Sequence, residues 1–141
     1  YEKRTLHGSS LSPSIYAIMG LKVGADSKAY RYLRRAAMLD LLNLQRNTRE
    51  GIHAANAGGV WQTVVFGFAG VNMDDDGVLS ITPHMPPDWS SLTFRLHPRA
   101  SWLEIRVAAT NGVDVEVLDG PSAILRINGE TVTVPGVKDV S

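Results

Sequence analysis

The sequence predicts an α+β chain in which helices come first and a small antiparallel β-sandwich follows. Three observations carry this. Up to residue 70 the apolar residues recur at helical spacing, whereas beyond it most segments alternate with period two. Six of the seven prolines, and most of the β-branched residues, lie in the second stretch. The charge divides at the same place. Residues 1–70 carry nine Lys/Arg against four Asp/Glu, a net +5, and residues 71–141 carry five against ten, a net −5. The overall zero thus conceals two units, expected at 1–70 and 71–141.

The first helix is expected from Ser12-Pro13, a cap residue followed by proline at the first helical position. Ile15, Ile18, Met19 and Val23 continue it until Gly24. Asp26 or Ser27 starts a second helix through "SKAYRYLRRAAMLDLLNL", with Lys28, Arg31 and Arg35 on one face and Ala29, Leu33, Ala36, Ala37 and Leu41 on another. Asn47 and Gly51 mark a break. A third segment, "HAANAGGVWQTVVFGFAG", carries no charge between Ala54 and Met73 and is expected to be buried on nearly all sides. Its glycines, Gly58, Gly59 and Gly67, lower helix propensity and make sense where another helix or a ligand comes close. Three helices with so few polar faces cannot bury such a segment unaided, so the chain is expected to need helices that it does not contain.

In the second unit "DDDGVLSI" reads as a turn entering a strand. "SLTFRLH", "SWLEIRVAAT", "VDVEVLD", "SAILRIN" and "ETVTVPG" follow, separated by the turn sequences "TNG", "DGP" and "NGE". Asp74, Asp75 and Asp76 stand before Gly77, but no glutamate occupies the twelfth position of a calcium loop, so a solvated turn is expected. Trp61 is assigned to core packing, Trp89 and Trp102 to the sandwich, and His84 and His97 to structural roles.

The chain has no cysteine, which excludes a disulfide framework, a thiolate metal site and a cysteine nucleophile. No signal segment or long apolar run is present, so a soluble, cytoplasmic location without membrane contact is expected. Lys28, Arg31, Arg34 and Arg35 lack an interleaved aromatic platform and a net positive charge; they read as a solvated helix face, and nucleic acid is not expected as a partner.

Three motifs occur in order: "H-x-S-S-L-S" from His7 to Ser12, "D-L-x-N-x-x-x-N-T-x-x-G-I-H" from Asp40 to His53, and "G-x-W-x-x-V-x-x-G-F" from Gly59 to Phe68. With "LSITPHMPPDWSSLTFRL" they resemble the C-terminal end of family 65 glycoside phosphorylases and hydrolases, a family that includes maltose, trehalose and kojibiose phosphorylases. The resemblance covers residues 1 to about 106. It implies that residues 1–70 are closing helices of an (α/α)6 catalytic barrel and that residues 71–141 form a C-terminal β-sandwich domain. It also implies no cofactor and no metal.

Phosphorolysis needs phosphate held beside the anomeric carbon, and hydroxyls, helix-start N–H groups and imidazole all hold phosphate well. The resemblance places Ser9, Ser10 and His53 at the phosphate, with His7 a weaker candidate. Taken alone, the serines favour simple capping and His53 a satisfied loop histidine; the resemblance reverses both preferences. It further implies that the acid protonating the leaving oxygen is a glutamate upstream of Tyr1, so no residue of this chain is assigned that role. Glu2 does not argue for hydrolysis, because the family has the same "Y-E" in its phosphorylases.

The expected function is therefore the phosphate-side segment of an inverting α-glucoside phosphorylase. Its partners would be inorganic phosphate, an α-linked glucose disaccharide and the rest of the barrel, and the isolated chain is expected to self-associate. The alternatives are a family 65 α-glucoside hydrolase of trehalase type, and a non-catalytic structural module.

Overall fold

The computed structural model describes residues 9–137. Tyr1, Glu2 and His7 lie outside the described residues. The chain divides into two compact units, Tyr1–Gly67 and Phe68–Ser141. The architecture is α+β, as expected.

In the first unit α1 (Ser12–Lys22) is joined by a short turn to α2 (Asp26–Ala37), and α3 (Ala54–Gln62) runs on into a π-helical turn at Thr63–Phe68. The turn between α1 and α2 contains Gly24 at a φ of 70°, a conformation that glycine adopts without penalty. Small residues set the packing. A Cβ on Gly20 would stand 3.3 Å from Ala29 Cβ, so α1 and α2 lie close. A Cβ on Gly59 would stand 2.9 Å from Ser14 Oγ, and one on Gly67 would stand 3.0 Å from Leu21 Cδ1. Later residues along α3 and its π-helical continuation thus meet later residues of α1, and the two run parallel. Two of the three glycines meet a neighbouring helix as expected, while Gly58 faces open space.

Several sequence expectations shift. Leu11, not Ser12, is the N-cap of α1, and Ala25 rather than Asp26 or Ser27 caps α2; neither makes a side-chain capping bond. Pro13 still lies in the first turn, where its missing N–H costs nothing. The face of α1 turned inward is the small one, Pro13, Ser14, Ala17 and Leu21, because only small side chains allow this close approach; Ile15, Met19 and Val23 are exposed. The third segment is not buried all round: Trp61 and Phe66 are 47% and 43% exposed and meet edge to face, with no described residue of this unit covering them. The second helix stops at Ala37, and residues 38–46 form turns with Asn43 and Arg46 at positive φ.

The second unit holds seven strands: β1 (Val71–Met73), β2 (Leu79–Ile81), β3 (Ser91–Leu96), β4 (Trp102–Ala108), β5 (Val113–Asp119), β6 (Ala123–Ile127) and β7 (Glu130–Val134). They form a four-stranded sheet in the order β1-β2-β6-β7 and a three-stranded sheet in the order β3-β4-β5. Pairing is antiparallel except between β2 and β6, which are parallel with Leu79 opposite Leu125. Period-two alternation buries Leu103, Ile105 and Val107 of β4 completely, together with Ile81 and Leu125 of the other sheet. Trp89 lies against Phe68, while Trp102 is half exposed and stacks on His97. Arg126 pairs with Asp74 and lies 3.7 Å from Asp76, which pins the acidic turn to β6.

The α1–α3 approach separates two neighbouring glycines. A methyl at Gly59 meets the buried Ser14, and such overpacking costs about 1–3 kcal/mol. A methyl at Gly58 enters open space and gains about 1 kcal/mol of helix propensity. Gly59→Ala is therefore expected to melt below the parent chain and Gly58→Ala above it, in side-by-side thermal melts. A Gly59→Ala chain that melts at or above the parent would remove the close approach as the constraint on α3.

Candidate functional site

Because α1 and α3 are parallel, their starts lie at the same end of the helical unit. The end of α2 joins them there, where the Asn56 side-chain amide donates to the Ala36 carbonyl at 2.8 Å. Ser9 and Ser10 immediately precede α1, and His53 is the N-cap of α3.

Ser9 shapes the approach to α1. Its carbonyl accepts the Ser12 N–H at 3.2 Å and its Oγ accepts the Leu11 N–H at 3.3 Å. This is local capping chemistry, yet it leaves the Ser9 hydroxyl proton to donate elsewhere. Ser9 lines a cavity of about 360 Å³ with Arg35, Gln45 and Asn47, over Pro13 and Leu39. Ser10, half-buried in the adjoining turn, does not line it.

His53 is held by Asp40. One carboxylate oxygen accepts the His53 backbone N–H at 2.9 Å, and the other lies 2.5 Å from Nδ1. With Asp40 ionised, Nδ1 carries its proton toward the carboxylate, and the imidazole is fixed with Nε2 facing the other way. Nε2 lies 3.4 Å from the Asn47 amide nitrogen. Thus Asn47 connects His53 to the cavity that Ser9 lines, although His53 is not itself among the lining residues. Asn43 braces the intervening loop by accepting the Thr48 N–H at 3.1 Å and the Thr48 hydroxyl at 2.5 Å.

The side-chain hydrogen bond from His53, followed by the backbone one, holds the Asp40 carboxyl below the usual carboxylate range, against an opposing effect of burial. Asp40 is the residue that motif reading missed. A continuous second helix would have hidden it, whereas the stop at Ala37 frees it to turn toward His53. The signal was present in the second motif, whose first residue is Asp40 and whose last is His53.

This geometry offers a hydroxyl donor and a side-chain amide at one cavity, with an oriented imidazole behind the amide, at a shared pair of helix starts. Residues 1–62 match the glycosyl hydrolase family 65 central catalytic domain, and residues 73–134 match the glycosyl hydrolase family 65 C-terminal domain. The chain belongs to glycosyl hydrolase family 65. It is 47% identical over 135 residues to a kojibiose phosphorylase of Caldanaerobacter subterraneus, an overlap of 95% of this chain and 17% of that protein. It is 39% identical over 130 residues to an α,α-trehalose phosphorylase of Geobacillus stearothermophilus, covering 92% of this chain and 17% of that one. A solved structure of a putative kojibiose phosphorylase from the human microbiome superposes with a TM-score of 0.86 at 31% identity, covering 96% of this chain and 18% of that chain. The chain therefore spans less than a fifth of the length of these relatives. No helix among the described residues is long and apolar enough to cross a membrane.

The Asp40–His53 pair sets a pH dependence. A carboxyl whose folded pKa is lowered contributes stability that is present above its unfolded pKa and is lost as pH falls through the folded value. Asp40→Asn keeps the shape and removes the charge. Its melting temperature is expected to lie below that of the parent at pH 7, with the gap closing at acid pH, below about 4. A gap that stays constant from pH 7 to pH 3 would show that the carboxylate charge contributes nothing to the clamp.

Proposed function

We propose that this chain is the phosphate-side part of an inverting disaccharide phosphorylase, with Ser9, Ser10 and His53 holding inorganic phosphate. The observation that carries the reading is the shared end of α1 and α3, where the serine turn and the clamped His53 occupy one rim of the helical unit. Relatives named as kojibiose and trehalose phosphorylases support it. In the reaction, a phosphate oxygen attacks the anomeric carbon from the face opposite the leaving sugar. The glycosidic bond breaks, and the leaving oxygen takes a proton from a carboxylic acid elsewhere in the protein, which we assign to a glutamate upstream of Tyr1. The products are β-glucose 1-phosphate and the released sugar. Hydroxyl and backbone N–H donors serve this step by orienting the nucleophile, His53 donates from Nε2 as the imidazolium while Nδ1 faces Asp40, and none of these groups needs a cofactor.

On the same reading, residues 1–70 are closing helices of an (α/α)6 barrel and residues 71–141 are its C-terminal β-domain. The exposed apolar side chains fit that reading. Leu11, Ile15, Met19 and Val23 recur every four residues along one side of α1, and Leu41 and Ile52 are more than three-quarters exposed. The proposed cover is the remaining wall of the barrel.

Two outcomes are expected. In the complete protein, Ser10→Ala and His53→Ala should each raise the apparent phosphate constant roughly ten- to a hundredfold, since a hydrogen bond to a charged group is worth about 1.5–3 kcal/mol. The disaccharide constant should change little, and glucose 1-phosphate should form only when phosphate is supplied. A lowered melting temperature with an unchanged phosphate constant would return these residues to capping and packing, and phosphate-independent glucose release would point to hydrolysis. The isolated chain, with its apolar side uncovered, should sediment as dimers or larger species; a monomer at high concentration would count against a missing barrel wall.

A further inference from the structure

The donors assigned so far are short of positive charge. Hydroxyls and backbone N–H groups are neutral. His53 is already paired with the Asp40 carboxylate, so the pair as a unit brings no net cation even when the imidazole is protonated. The end of α2 also lies at this rim, and the carbonyl end of a helix carries partial negative charge. A phosphate bearing one to two negative charges needs a fixed cation to offset these.

We propose that Arg35 is that cation, and that Asn47 supplies an amide donor beside it; the proposal rests on the phosphate-site reading above. Arg35 belongs to the last turn of α2 and lines the same cavity as Ser9 and Asn47. No carboxylate among the described residues pairs with it; the ion pairs of the first unit's described residues use Asp40 and His53. A guanidinium presents a planar fork of N–H groups that matches two phosphate oxygens, and it stays charged at every working pH. Asn47 is only loosely committed. Its Oδ1 is buried without a partner and its amide nitrogen makes one long contact, 3.4 Å, with His53 Nε2. An anion in the cavity gives that amide a stronger acceptor, and links the anion to the clamped imidazole through one side chain. The spacing on α2 that makes Arg35 look like part of a solvated basic face with Lys28 and Arg31 also brings it, one helical turn further on, to the rim of this cavity.

The test uses the complete protein, with inorganic phosphate as the probe and Arg35→Gln, Arg35→Lys and His53→Ala as variants. Arg35→Gln should raise the apparent phosphate constant about tenfold to a hundredfold while the disaccharide constant moves less than about threefold. Arg35→Lys should fall between parent and Gln, because charge is kept and the fork is lost. Direct calorimetric titration with phosphate should show the same order in the absence of turnover. Melting temperatures should barely move, since Arg35 is exposed. If His53→Ala weakens phosphate and Arg35→Gln does not, Arg35 is a solvated helix residue and the proposal fails with the phosphate site intact. If none of the variants changes phosphate binding, the phosphate-site reading falls and this proposal falls with it.

Discussion

The first unit depends on how closely α1 and α3 approach at Ser14 and Gly59. Absence of a side chain at Gly59 lets the two backbones come together, and the match of 14 with 59 and of 21 with 67 makes the helices parallel. From that alignment the rest follows. Parallel helices start at the same end, so the serine turn and His53 share a rim. The Asn56 amide bonds the Ala36 carbonyl and brings the end of α2 there too. Asp40, three residues beyond that end, is then placed to take both N–H groups of His53. A site whose members come from three separate elements is thus positioned by one packing constraint, without a long-range hydrogen bond between its members beyond the Asp40–His53 clamp and the weaker Asn47 contact.

Sequence pattern reveals most of the fold and less of the site. The α+β division was legible because hydrophobic period, proline placement and charge sign all change near Gly70. The strands of β3 to β7 were legible because inward residues such as Leu103, Ile105 and Val107 alternate with polar ones. Helix ends were less legible. Leu39, Leu41 and Leu44 continue an apolar pattern past Ala37, so periodicity alone extends α2; the chain instead turns, with Asn43 and Arg46 at positive φ. Which face of α1 turns inward was not legible from helical spacing alone, since Ile15, Met19 and Val23 keep that spacing yet are exposed. Close helix packing favours small residues, and the bulky ones were left outside. Asp40 and Asn47 were missed for a related reason: both sit in a motif that spacing identifies, but the contact between its two ends requires a loop whose path no periodicity encodes.

The clamp on His53 also shows why an orienting carboxylate matters more than the imidazole's mere presence. An unheld histidine in an exposed loop samples several rotamers and both neutral tautomers. Here the backbone N–H and Nδ1 are taken by the same carboxylate, so position and tautomer are fixed together. The chain invests its stop in α2 and the Asn43–Thr48 brace in that one orientation.

The parallel pairing of β2 with β6 has a consequence for how the second unit assembles. Between these neighbours the chain runs out through the whole β3-β4-β5 sheet and back, a loop of roughly forty residues. The three-stranded meander closes through short turns, so its entropic cost is low and its pairing is local. The four-stranded sheet can zip only after that excursion has returned, and until then β1 and β2 form a two-stranded ribbon that is marginal on its own. On loop-closure cost alone, the meander is expected to form before the sheet that contains Val71, Leu79 and Ile81. Strands β6 and β7 follow the meander in sequence, so the four-stranded sheet cannot be completed before the chain has passed through it.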